Sequence, residues 1–255
     1  PLALLLGACG GGPSPAQLAP DALYERGMAA YQSGKHGRAV DFLTRFLQAS
    51  AGDPRALQAR VTLARAHMAR REYILAAGEY TRLINETPPD SLQRAGRFGL
   101  CEAYQRLSPK VQLDQEYTGG AIAYCESLAT YYPGTPEGIQ AAAWVRDLQA
   151  KMAEKSYQAG MFYFKRTAYD AAVIYFQETV SQFPATAAAP AALLRMVESY
   201  DRIGYKEEAA EARARLLRDY PESAEAKSLP APAPTAPAVP DSTAAPTPPA
   251  APPGG

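Results

Sequence analysis

The sequence predicts an all-α protein built as a solenoid of about five helix pairs, and two patterns support that fold class. Apolar residues recur at helical spacing, as at Leu57, Val61, Ala64 and Met68, and long runs with β-strand alternation are missing. In the second pattern a small residue precedes a proline by twelve positions, as in Ala76 with Pro88, Ala121 with Pro133, Ala172 with Pro184 and Ala209 with Pro221. Ala39 begins the first copy of this pattern, in which Ala51 replaces the proline.

The repeated pattern predicts a role for each of its positions. The small residue begins the second helix of a pair and lets it pack closely against the first. The proline ends that helix because it cannot donate a backbone hydrogen bond. Bulky residues four positions after the small one, Leu43, Tyr80 and Phe176, are expected to fill the space between helices. The pattern resembles the tetratricopeptide repeat, whose helix pairs stack into a right-handed superhelix with a concave face. The alternative is an ordinary helical bundle, against which the shared offset argues.

The chain opens on an apolar run that stops at Cys9 and continues into glycine. The run is too short to cross a bilayer, which takes about 20 apolar residues. The sequence Leu6-Gly7-Ala8-Cys9 nevertheless matches the lipobox of exported lipoproteins. We therefore expect residues 1–20 to hold a signal-peptide remnant, a lipidated Cys9 that anchors the chain to a membrane, and a flexible tether. The alternative is an apolar terminus with an unremarkable cysteine.

Residues 228–255 differ in composition from the rest of the chain. They hold ten of the 23 prolines and one charged residue, Asp241. Proline blocks helix and sheet pairing, and large apolar side chains are few, so we expect a disordered, partly polyproline-II tail. The tail is either an inert spacer or a ligand for a proline-reading or cell-wall partner. The repeat domain is then expected to cover residues 21–227.

Charge and motifs narrow the function classes. Lys+Arg and Asp+Glu both number 26 and form no basic stripe, so nucleic acid is not an expected partner. The sequence carries no motif of a hydrolase, a nucleotide-binding protein or a zinc protease, so no catalytic residue, cofactor or metal is expected. A cell-wall enzyme that uses repeats as a platform is an alternative without a supporting motif. Cys101 and Cys125 lie in apolar helical contexts, which suit either buried thiols or a disulfide.

Two segments are similar to the BamD family of outer-membrane assembly lipoproteins. Residues 108–136 carry an LDQ-x-x-T-x-x-A stretch and a YP-x-T turn, and residues 151–193 carry AEK and FY-x-KR-x-AY-x-AA stretches. The sequence departs from the family pattern at Thr167, in place of glycine, and at Phe183, in place of tyrosine. The matching residues are Leu113, Asp114, Gln115, Thr118, Ala121, Tyr132, Pro133, Thr135, Ala153, Glu154, Lys155, Ala159, Phe162, Tyr163, Lys165, Arg166, Ala168, Tyr169, Ala171, Ala172, Pro184, Thr186, Ala192 and Leu193.

The resemblance implies a non-catalytic scaffold of the β-barrel assembly machinery, held by its lipid on the periplasmic face of the outer membrane. Its amino-terminal repeats would receive unfolded outer-membrane proteins. Its carboxy-terminal repeats would dock on a POTRA domain of the barrel-forming subunit, beside other assembly lipoproteins. The alternative is another exported repeat adaptor that coordinates envelope constriction or peptidoglycan synthesis. The LDQ and FYFKR segments favour the first interpretation.

The repeat register places candidate binding residues on the concave face. Flexible thioethers adapt to varied partners, and an arginine pairs with a peptide carboxylate. Such a groove suits an extended apolar-aromatic segment that ends in a carboxylate, while packing between repeats explains Val61 and one of the tyrosines equally well. Lys165 and Arg166, in the turn of the fourth pair, are candidate docking contacts or an ordinary solvated turn. The predicted groove residues are Tyr24, Met28 and Tyr31 on the first helix of one pair and Val61, Arg65 and Met68 on the first helix of the next pair.

Overall fold

A computed structural model describes residues 18–50 and 52–229, and within them every regular element is an α-helix. This confirms the all-α fold class. Cys9, Ala51 and most of the Pro/Ala-rich tail lie outside the described residues. The division of the chain into segments 1–20, 21–227 and 228–255 stays a prediction. The helices are α1 (Pro20–Gln32), α2 (His36–Ala49), α3 (Ala56–Ala69), α4 (Tyr73–Asn85), α5 (Asp90–Leu107), α6 (Glu116–Tyr131), α7 (Pro136–Phe164), α8 (Tyr169–Gln182), α9 (Ala188–Ile203), α10 (Lys206–Asp219) and α11 (Ala224–Ser228).

The ten longer helices form five pairs, each with a leading helix (α1, α3, α5, α7, α9) and a trailing helix that follows it. Every helix packs against the next one along the chain, from α1 through to α11. Each leading helix also contacts the leading helix of the next pair, as α1 does α3 and α3 does α5. The leading helices therefore form the closely spaced inner layer of a solenoid, and the trailing helices form its outer layer.

The small residue of each repeat lies inside its trailing helix, where the sequence pattern predicts it. Ala39, Ala76, Ala121 and Ala172 are fully buried, and Ala209 is nearly so. Pro88, Pro133, Pro184 and Pro221 each follow the end of a trailing helix. The twelve-residue offset therefore corresponds to the stretch from the buried small residue of a trailing helix to the proline that follows the end of that helix.

Bulky side chains four positions after the small residue pack onto glycines. Leu43 lies against Gly27 of α1, and Phe176 lies against Gly160 of α7, so closely that a Cβ on either glycine would come within 2.7 Å of the neighbouring ring or methyl group. Both side chains are fully buried. Because a cavity at such a position would not collapse, each contact contributes on the order of 3 kcal/mol to folding.

The turn inside four of the pairs contains one residue in the left-handed conformation. The φ angles are 72° at Gly34, 61° at Arg71, 62° at Thr167 and 95° at Gly204. Glycine adopts this conformation without steric cost, whereas a β-branched residue such as threonine does not. The departure from the family pattern at Thr167 therefore falls on the one conformation that favours glycine.

The third pair replaces this short turn with the longer connection 108–115, which is organised around the buried side chain of Gln115. Its Nε2 donates to the carbonyl oxygens of Lys110 and Leu113 at 2.8 and 3.0 Å. Its Oε1 accepts from Thr118 Oγ1 at 2.6 Å. The glutamine and threonine of the LDQ-x-x-T stretch thus satisfy polar groups that burial would otherwise leave unpaired.

Cys101 on α5 and Cys125 on α6 form a disulfide that joins the two helices of the third pair. Both residues are fully buried, together with Leu128 and Ala141. Of the two states that the sequence allows, buried thiols or a disulfide, the structure therefore contains the disulfide.

Across the described residues, no helix is both long and apolar enough to cross a membrane.

Candidate functional site

A pocket of about 400 Å³ opens on the inner layer, among four leading helices. Residues from α1, α3, α5 and the start of α7 surround it, and one residue of α4 reaches it from behind. We call it the inner-face pocket. Its lining combines aromatic rings, a thioether, one cation and two carboxylates. The lining residues are Tyr31, Arg65, Met68, Tyr80, Ala95, Phe98, Gly99, Glu102 and Glu137.

Close packing holds the aromatic wall of the inner-face pocket in place. The ring of Tyr80 lies against Gly99 of α5, where a Cβ would approach its Cζ to 2.1 Å. Phe98 stacks on Trp144 of α7, with 5.6 Å between ring centroids and 22° between ring planes. Because Tyr80 is packed against backbone and Phe98 is stacked on a second ring, the pocket presents a preformed apolar surface.

Charges of both signs surround the mouth of the inner-face pocket. Burial raises the pKa of the Tyr80 phenol, and the nearby charge of Arg65 opposes that rise only in part. Arg65 is exposed, and no salt bridge involves it among the described residues. Glu137 by contrast lies 3.7 Å from Arg94 Nε. Arg65 is thus the cation of this pocket that is available to a ligand carboxylate.

The structure brings three of the six predicted groove residues into the inner-face pocket, namely Tyr31, Arg65 and Met68. Tyr24 and Met28 are half-buried and pack against the core of the first pair. Tyr24 lies beneath the guanidinium of Arg55, whose Cζ is 4.9 Å from its ring centroid.

Val61 does not belong to a binding surface. Its side chain is only 1% exposed, because it points from α3 into the packed interior. This corrects the prediction that Val61 lines the groove, and it favours the alternative of packing between repeats. Alignment of the leading helices finds the correct helix and face, but it does not show which turns of that face the neighbouring helices cover.

Sequence reasoning misses six residues of the inner-face pocket, Tyr80, Ala95, Phe98, Gly99, Glu102 and Glu137. The predictions count back from the turn inside each pair, and the third pair has no such turn. Tyr80 is recognised only as a packing residue, although its ring forms both the core and the pocket wall. Extending the helical spacing of Tyr31 and Met68 to α5 is the signal that could have found Phe98.

Lys165 and Arg166 are both exposed, in the turn between α7 and α8. The guanidinium of Arg166 lies over Phe162, with Cζ 3.5 Å from the ring centroid, and Nη1 donates to the Phe162 carbonyl oxygen at 3.2 Å. Phe162 is 49% exposed. The turn therefore presents an arginine stacked on an exposed aromatic ring, far along the chain from the inner-face pocket.

Across the described part of the chain, no group of three or more His, Cys, Asp or Glu side chains could hold a metal ion.

Comparison with known proteins identifies similar sequences over most of the chain. The family model described as YfiO, outer membrane lipoprotein, matches residues 16–217. The protein named outer membrane protein assembly factor BamD in Caulobacter vibrioides is 25% identical over 199 residues, which cover 78% of this chain and 65% of that relative. The protein of the same name in Rickettsia prowazekii is 25% identical over 201 residues, which cover 79% of this chain and 80% of that relative. The chain thus spans less than two thirds of the length of the Caulobacter relative.

Solved structures of repeat proteins also align with the chain. The thermophilic TPR protein TTC0263 of Thermus thermophilus covers 82% of this chain and 95% of its own, with a TM-score of 0.34 and 20% identity. A TPR repeats protein of Bacteroides fragilis covers the same shares, with a TM-score of 0.46 and 12% identity.

Proposed function

The chain belongs to the YfiO family of outer membrane lipoproteins, and from this premise we propose that it is a non-catalytic scaffold in outer-membrane protein assembly. Its relatives in Caulobacter and Rickettsia are named assembly factors. The observation that carries the proposal is the inner-face pocket, where aromatic and thioether surface surrounds the exposed Arg65. An apolar and aromatic lining beside an exposed cation suits a peptide segment, and we infer from it a binding role without catalysis.

The proposed ligand of the inner-face pocket is the carboxy-terminal segment of an unfolded outer-membrane protein. Strands of such proteins alternate apolar and polar residues, and aromatic side chains concentrate at their ends. Tyr80 and Phe98 would contact an aromatic side chain, and Met68 would adapt to its shape. Arg65 would pair with the terminal carboxylate.

The location proposed for the protein is the periplasmic face of the outer membrane, with Cys9 as the lipid-bearing residue. The disulfide between Cys101 and Cys125 supports an oxidising compartment outside the cytoplasm, since such bonds are rare where thiols are kept reduced. Cys9 itself lies outside the described residues. The lipid would keep the solenoid near the membrane into which its clients insert.

The proposed docking surface for the barrel-forming, POTRA-containing subunit lies in the fourth pair. There Lys165 and Arg166 stand beside the exposed ring of Phe162. An arginine that is already ordered over an aromatic ring loses little conformational freedom on binding, which favours it as an interface contact. Other assembly lipoproteins would occupy surfaces that this site leaves free.

Peptide binding tests the proposal directly. The probe is an extended peptide of alternating apolar and polar residues that ends in a phenylalanine carboxylate, followed by fluorescence anisotropy. We expect Arg65→Glu to raise the Kd about tenfold or more, because it replaces an attraction to the carboxylate with a repulsion. Amidation of the peptide terminus should weaken binding to the unchanged protein by a similar factor.

Arg202→Glu is the matched control, since Arg202 is also exposed on a leading helix but lies outside the inner-face pocket. It makes the same change in net charge and should leave the Kd unchanged. Equal effects of the two variants would mean that net charge, rather than the pocket, governs binding. Failure of the unchanged protein to bind the peptide would refute the proposed client site.

A further inference from the structure

Three exposed tyrosines form a line along the outer face of α6. Tyr117, Tyr124 and Tyr131 are 40%, 38% and 67% exposed. They are spaced by seven residues, so they lie on one face of the helix, with about 10.5 Å between successive positions along its axis. Large aromatic side chains left at the surface in a row need an explanation, because burying them would be favourable.

A groove runs beside this line of tyrosines, between the trailing helices α4 and α6 and above α5. It encloses about 350 Å³. We call it the outer-face groove. It is separate from the inner-face pocket: it opens on the outer layer, the pocket opens on the inner layer, and the two share no lining residue. Its walls include Thr81 and Ile84 on α4, Tyr124 and Ser127 on α6, and Leu100 with Arg97 on α5.

The rings along the outer-face groove are held in fixed positions. Tyr104 of α5 lies 4.7 Å from Tyr124 and 6.2 Å from Tyr117, measured between ring centroids. Its ring sits directly on Gly120, where a Cβ would approach it to 2.8 Å. At the other end, Arg97 Cζ lies 4.6 Å from the centroid of Tyr131. The surface is therefore preorganised, which lowers the entropic cost of binding.

The spacing of the tyrosines matches one particular backbone conformation. A polyproline-II helix has three residues per turn and rises about 9.3 Å per turn, close to the separation between successive tyrosines of α6. Segments rich in proline dock in this conformation onto grooves lined by aromatic rings. Every third residue of such a ligand would meet one ring.

The chain itself contains a segment of this kind. Between 230 and 255, proline recurs at three-residue intervals twice, at Pro234, Pro237 and Pro240 and again, farther from the solenoid along the chain, at Pro246, Pro249 and Pro252. Leu229 is the last described residue, and the seventeen positions from 229 to 246 can span about 56 Å. The five steps from α11 back to α6, at 8–10 Å between neighbouring helices, amount to at most about 50 Å. The segment is long enough to reach the outer-face groove of its own chain.

We propose that residues 230–255 bind in the outer-face groove of the same molecule, with Pro246, Pro249 and Pro252 against the tyrosines of α6. Small alanine and threonine side chains between the prolines fit beside the rings. The single charge of the segment is Asp241, so nothing in it repels the guanidinium of Arg97. This contact goes beyond the proposed function, and it leaves the inner-face pocket open because it lies on the opposite layer.

Photo-crosslinking in the full chain tests the proposal. Tyr124 is replaced by p-benzoylphenylalanine, the protein is irradiated, and crosslinked peptides are mapped by mass spectrometry. We expect adducts within residues 230–255. Mixing isotope-labelled and unlabelled chains should give adducts within one chain only. Adducts solely between different chains, or none with this segment, would overturn the proposal.

Two controls show whether the three-residue series is responsible. The variant P246S/P249S/P252S should lower the adduct yield at least tenfold, while circular dichroism stays helical because its changes lie outside residues 18–229. The variant P230S/P232S alters prolines outside that series and should leave the yield unchanged. The same photoreactive residue at Tyr205, an exposed tyrosine between α9 and α10, should give no comparable yield. Full yield in the triple variant would refute the proposed contact.

Discussion

The third and fourth helix pairs solve one packing problem by different chemistry. In the fourth pair, Phe176 lies four residues after the small Ala172 and fills the space above Gly160. In the third pair, the residue four positions after Ala121 is Cys125, which is bonded to the leading helix through Cys101. The comparison teaches that in these two pairs the same position ties the trailing helix to the leading helix, once by a large side chain and once by a covalent bond.

The connections inside these two pairs differ in the same way. The fourth pair turns in four residues, with Thr167 in a left-handed conformation that suits glycine better. The third pair spends eight residues, 108–115, and stabilises them through the hydrogen bonds of Gln115. The connection of the fourth pair thus depends on the backbone conformation of one residue, and the connection of the third pair depends on the hydrogen bonds of a buried side chain.

The largest expected effect is the loss of Phe176. Phe176→Ala should lower the free energy of unfolding by about 3–5 kcal/mol, because it leaves a cavity over Gly160 that the helices cannot close. Urea unfolding followed by circular dichroism measures this change. Ile174→Ala, on the same helix at a side chain that is 67% exposed, should change it by less than about 0.5 kcal/mol. A loss at Phe176 no greater than that control would show that the pair does not depend on this contact.

The disulfide of the third pair should come next in magnitude. The double variant Cys101→Ala and Cys125→Ala should lower the free energy of unfolding by about 3 kcal/mol, since the bond closes a loop of 24 residues in the unfolded chain. Adding a reductant to the unchanged protein should reproduce most of this loss and leave the double variant unaffected. If reductant destabilises both proteins alike, the bond is not the source of the effect.

The smallest effect is expected at Thr167, and it has the opposite sign. Thr167→Gly should raise the free energy of unfolding by about 0.5–1 kcal/mol, because relief of left-handed strain exceeds the added freedom of glycine in the unfolded chain. Gly204→Thr makes the reverse exchange in the fifth pair, where φ is 95°, and should lower stability by at least as much. Thermal unfolding of the two variants side by side measures both changes. Equal signs would show that φ does not control these turns.

Local patterns predicted the elements better than they predicted the surfaces. The small residues located all five pairs and the closing prolines marked the ends of four, because both act within one or two helical turns of their own position. Tyr31, Arg65 and Met68 line the inner-face pocket, whereas Val61, one turn before Arg65 on the same face of α3, is buried. Which turns of a leading helix meet solvent depends on how far the neighbouring helices cover it, and periodicity within one helix does not contain that information.

By itself, the sequence determined the helix pairs, their order and the family to which they belong, since small residues, prolines and helical spacing act over a few residues. Only the tertiary structure decided that Cys101 meets Cys125, that Phe98 and Glu102 join Arg65 in one pocket, and that Tyr124 borders an open groove. The physical reason is distance along the chain. These groups come together through the stacking of whole helices, whose relative positions are set by many side-chain contacts acting at once.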